Sequence, residues 1–114
     1  MELMGPIETM LQERVARGVA LLDDKVLGWA ERIRPRELNI AFPYQCLLGH
    51  LYRSYTTGSM TLKLGAWSPV DEHRAPSHYG FNYESASGAE RIMAMKCLNQ
   101  LWCKEVLKRA PFNI

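Results

Sequence analysis

The sequence predicts an all-α fold: a small single-domain helical bundle over residues 1–114, with three main helices, short helical turns and a long ordered loop before the last helix. Three observations carry that prediction. Apolar residues recur every three or four positions from Leu11 to Ile33, a second apolar face runs along residues 43–55, and a capping box at Ser87 and Glu90 opens a third helical stretch.

The first stripe is Leu11, Val15, Val19, Leu22, Val26, Trp29 and Ile33, with Glu13, Arg14, Arg17, Asp24, Lys25 and Glu31 mostly off it. On a wheel of about 100° per residue these apolar positions share one face, so the helix buries that face. Gly5 and Pro6 suit a helix entry, because proline at the first helical position forfeits no hydrogen bond, and Thr9 with Gln12 offers a second start. The helix is expected to reach about Arg34, where Pro35 forces the preceding residue out of helical geometry. Gly28 and the Asp23-Asp24 pair are poor interior residues and mark Asp23 to Trp29 as the place where it kinks or divides.

Arg36 to Phe42 reads as an extended connector that turns Leu38, Ile40 and Phe42 inward by alternation. Pro43 opens a second helix to about Tyr55, with Tyr44, Leu47, Leu48, Leu51 and Tyr55 on its apolar face. Thr57-Gly58-Ser59 is expected to break the chain before a brief turn from Met60 to Leu64. Residues 65–87 form the long loop. Pro69, Pro76 and Gly80 interrupt it, and Trp67, Tyr79, Phe81 and Tyr83 pin it to the core. The last helix runs to about Arg109, with Ile92, Met95, Leu98, Trp102 and Val106 inward. Met93, Cys97, Leu101 and Leu107 fall outside that face, so the helix is either central or sticky.

Composition narrows function mainly by exclusion. At 47% hydrophobic and 23% charged, the 114 residues can fill one core. Fourteen Lys and Arg against twelve Asp and Glu leave a net charge of +2, too small to point to nucleic acid or an anionic membrane. No signal peptide and no run of about 20 apolar residues is seen, so a cytoplasmic protein without a membrane span is expected. The three cysteines match no secreted disulfide framework, so free thiols are expected.

Chemistry-bearing patterns are sparse. Cys46 and His50, four apart with Arg53 on the side away from the apolar face, would need His73, His78, Cys97 or Cys103 to complete a zinc tetrahedron. No Cys-x2-Cys accompanies them, so neither metal nor cofactor is assigned. None of the three thiols sits in a nucleophile signature, and no glycine-rich loop leads into Lys-Ser or Lys-Thr to cradle phosphate. Asp71, Glu72, His73 and Arg74 read as a solvated charged run. Arg32, Arg34 and Arg36 gather at the end of the first helix, and Arg91, Lys96, Lys104, Lys108 and Arg109 line the last. The helix dipole explains cations near helix C-termini without a ligand, so nucleic-acid binding through the arginine trio is the alternative rather than the first choice.

Gly18-Val-Ala-Leu-Leu-Asp-Asp-Lys-Val-Leu-Gly-Trp-Ala-Glu-Arg-Ile33, Cys46-Leu-Leu-Gly-His-Leu-Tyr52 with Tyr55, and His78-Tyr-Gly-Phe-Asn82 followed by Leu98-Asn-Gln-Leu-Trp102 resemble a group of small uncharacterised proteins of actinobacterial phages and their hosts. The resemblance spans about residues 15 to 105 and brings no established activity or site; it leaves residues 1–13 outside and so implies that they are an N-terminal extension. It implies a proline where this chain has Leu27, favouring two helices that meet near Gly28, and a glutamine in place of His50, which weakens the zinc idea.

These readings lead to an expectation: a phage- or prophage-type accessory protein, not an enzyme, that binds another protein of host or phage and in that way modulates it. Self-association is a second outcome of the same apolar surface. The partner-binding residues expected are Tyr79, Phe81, Met93, Cys97, Leu101 and Lys104. Two alternatives are kept: a nucleic-acid binder using Arg32, Arg34 and Arg36, and a small-molecule or metal binder using Cys46 and His50.

Overall fold

All seven residues of the first stripe are buried. Leu11, Val15, Val19 and Leu22 lie on α1 (Gly5–Lys25), Val26 just beyond its end, and Trp29 and Ile33 on and directly after the 3₁₀ turn Trp29–Arg32, in a computed structural model that describes residues 5–64, 75–83 and 88–112. The first helix therefore does not continue to Arg34. It ends at Lys25, and the chain reverses through Gly28, whose φ of 74° is left-handed and comfortable only without a Cβ. The division expected between Asp23 and Trp29 is thus present, and Trp29 re-enters the core beyond it.

The connector keeps Leu38 and Ile40 buried but turns Phe42 outward, 54% exposed. The reason is a run of turn hydrogen bonds: Phe42 N–H donates to the Asn39 carbonyl at 3.1 Å, and Cys46 N–H to the Phe42 carbonyl at 2.8 Å. These reversals end the alternation, and they leave Tyr44, expected inside, 73% exposed. Helix α2 (Leu47–Tyr52) starts four residues later than expected, capped by Cys46.

Thr57-Gly58-Ser59 does not break the chain, because it lies inside α3 (Tyr55–Thr61), which Ser54 caps by accepting from Thr57 N–H at 3.1 Å. Gly58 is there for proximity: a Cβ would sit 2.8 Å from Leu48 Cβ, so the glycine lets α3 fold back onto α2.

Residues 75–83 contain the 3₁₀ turn Pro76–Tyr79 and are tied down at both flanks. Arg17 Nε donates to the His78 carbonyl at 2.9 Å, and buried Trp102 Nε1 donates to the Gly80 carbonyl at 2.7 Å. Phe81 stacks on Trp102 with centroids 5.6 Å apart, and Trp29 meets Trp102 edge-on at 5.8 Å. Trp67, Ser87 and the Asp71 to Arg74 run lie outside the described residues.

Helix α4 (Gly88–Arg109) packs along α1 and the Trp29–Arg32 turn, burying Ala94, Met95, Leu98, Trp102 and Val106. Ile92, expected inside with them, is 59% exposed. The elements form one all-α assembly with a single hydrophobic core and a radius of gyration of 13.2 Å. Among the described residues there is no strand, and no helix is long and apolar enough to cross a membrane.

Candidate functional site

The exposure of Ile92 marks a groove. Cys103 Sγ lies 3.7 Å from the Pro35 carbonyl, and Ile40 N–H donates to Asn99 Oδ1 at 3.0 Å, so the connector runs antiparallel along one side of α4. It departs near Ala41, leaving the face of α4 that carries Arg91, Ile92 and Lys96 exposed. The gap holds about 430 Å³, within the size range of small-ligand and peptide-anchor pockets. Ala41, Ile92 and Met95 supply its apolar surface, and Asn39, Asn99, Gln100, Arg91 and Lys96 its polar rim. No carboxylate is among these lining residues. A smaller adjoining cleft shares Ala41 and Arg91 and reaches Cys46, Tyr55 and Asn82.

The sequence-predicted partner residues lie elsewhere. Met93, Cys97, Leu101 and Lys104 occupy roughly the opposite side of α4. Cys97 and Leu101 are half-buried against the core, while Met93 and Lys104 are exposed. Phe81 is only 1% exposed, sandwiched between Trp102 and half-buried Tyr79, so it supports the core and offers a partner no surface. The groove residues Asn39, Asn99 and Gln100 carry no motif and were not singled out by the sequence. The one signal available was Asn99 itself, a poor helix former in the interior of a long helix.

Cys46 and His50 line different recesses, Cys46 the cleft beside Tyr55 and Asn82, His50 one beside Arg32 and Glu37. Cys46 is buried as the N-cap of α2, its Sγ accepting from Gly49 N–H at 3.3 Å, whereas half-buried His50 places Nδ1 3.1 Å from the Cys46 carbonyl. Burial pushes the Cys46 thiol above its ordinary pKa, and burial does the same for Cys97 and Cys103, so none is poised as a thiolate. Among the described residues no three of His, Cys, Asp and Glu converge as a metal-ligand group.

The arginine trio is divided. Arg32 donates to the Leu51 carbonyl at 2.7 Å, Arg34 pairs with Glu37 at 3.2 Å, and Arg36 is exposed. Arg32, Arg34 and His50 share a shallow recess with Glu37, whose carboxylate offsets the positive charge there. Comparison with protein families, with curated proteins and with solved structures returns no match.

Proposed function

We propose that this protein is a binding module that engages another protein through the groove between its connector and α4, rather than an enzyme. The observation that supports this reading is the groove left where the connector departs from α4, in which exposed Ile92 lies among polar groups. An apolar centre inside a polar rim is how protein-binding patches are built, because the centre supplies hydrophobic contact and the rim excludes water. The resemblance to actinobacterial phage proteins makes the host cell cytoplasm the proposed setting and a host or phage protein the proposed partner.

Affinity capture from an actinobacterial lysate tests this with two baits, the wild-type chain and Ile92→Asp. A specific protein retained by the wild type and lost from the variant is the expected result. Recovery of no specific partner, or of the same partner by both baits, counts against the proposal.

A further inference from the structure

The groove's polar groups share a bias that its apolar lining does not reveal: their unused N–H donors outnumber their unused acceptor positions. Asn99 Oδ1 is occupied by the Ile40 N–H at 3.0 Å, and Asn39 Oδ1 by the Ala41 N–H at 3.0 Å. A backbone N–H can bond only to the amide oxygen, which fixes the orientation of both carboxamides: each oxygen keeps one lone pair, while both hydrogens of each NH2 are unused. Neither NH2 meets an acceptor among the described residues. Arg91 and Lys96 can only donate, and neither has a carboxylate partner among the described residues. Gln100 is the exception, since its amide offers both an oxygen and an NH2.

Resting on the function proposed above, we propose that the groove selects a partner segment in which an aspartate or glutamate stands next to an apolar side chain. The apolar side chain sits against Ala41, Ile92 and Met95, while the carboxylate accepts from Arg91, Lys96 and the two asparagine NH2 groups. A basic or donor-rich segment would leave both cations facing like charge or unmatched donors, which is how the groove discriminates. Bonds to a carboxylate are charge-assisted, so the preference is strong for so small a surface and weakens with added salt.

A peptide-display library selected on the immobilised full chain provides the test, with Arg91→Glu/Lys96→Glu as the counter-target and Lys104→Glu as a charge control outside the groove. Arg91, Lys96 and Lys104 are all exposed, and circular dichroism checks that each variant keeps its helices. The enriched peptides are expected to pair Asp or Glu with an apolar residue and to bind the wild type and Lys104→Glu alike. Their affinity should fall by about tenfold or more on the double variant, and by a similar factor when their carboxylates are replaced by amides. Enrichment of basic peptides, equal binding to the double variant, or no enrichment overturns the proposal. Ile92→Asp separates the two levels. An uncharged peptide displaced by that change refutes the acidic preference and leaves the groove reading standing, while a peptide indifferent to it refutes both.

Discussion

The Ile40 N–H and Asn99 Oδ1, 59 positions apart in the chain and 3.0 Å apart in space, hold the connector against α4 and so define the groove's edge. Asn99→Ala strips the acceptor from a partly buried backbone N–H and is expected to lower stability by about 1–2 kcal/mol in urea unfolding. Asn99→Asp keeps an acceptor and should stay closer to wild-type stability. It also places a negative charge on the rim, so it should abolish binding of acidic peptides. Loss of stability without loss of binding in Asn99→Asp would contradict both roles.

Gly18 sets two effects against each other. In a helix interior Gly→Ala ordinarily gains about 1 kcal/mol. Here the added Cβ would lie 2.8 Å from the Trp102 ring and closer still to the Tyr79 carbonyl oxygen, and neither the buried ring nor the backbone can retreat. Overpacking costs of about 1–3 kcal/mol or more should win, so Gly18→Ala is expected to lower Tm rather than raise it.

What the sequence made legible follows from where the determining interactions lie. The α1 stripe and the break at Gly28 are local: periodicity and one residue tolerant of positive φ suffice to place them. Helix α3 was hidden because Gly58 reads locally as a breaker, whereas its role is to admit Leu48 of the neighbouring helix. Alternation predicts Phe42 inside and the helical face opened by Pro43 predicts Tyr44 inside, yet the backbone there folds into successive turns and the helix starts only at Leu47, so both are exposed. The groove depends on Asn39 and Asn99 coming together across the fold, which no spacing within one segment encodes. Phe81 illustrates the converse: of the two roles the sequence suggests for it, pinning the loop to the core and meeting a partner, burial beside Trp102 leaves only the first.

Asp23 gives the fold an acid-sensitive joint where α1 meets Trp29 and the last turn of α4. Its carboxylate accepts from Trp29 Nε1 at 2.8 Å and pairs with Arg109 at 3.3 Å, and the bond from Trp29 above all holds its pKa below the ordinary 3.8. A carboxylate with a depressed folded pKa contributes stability that is present above 3.8 and lost as pH falls through the folded value. Thermal unfolding from neutral pH down to that range should therefore show a larger fall in Tm for the wild type than for Asp23→Asn, whose amide oxygen can still accept from Trp29. The difference should be small, since the Asp23 side chain is half-exposed. An equal or larger fall in the variant would contradict the assignment.

The side-chain NH2 resonances of Asn39, Asn99 and Gln100 report directly on the groove, so a ¹⁵N NMR titration of the full chain with the tightest display-selected peptide tests the central claim. The account predicts that the largest shifts fall on those NH2 groups and on the backbone amides of Ile92 and Lys96. Largest shifts at Met93, Cys97 and Leu101, or at Arg32, Arg34 and His50, would place binding on another surface and contradict it.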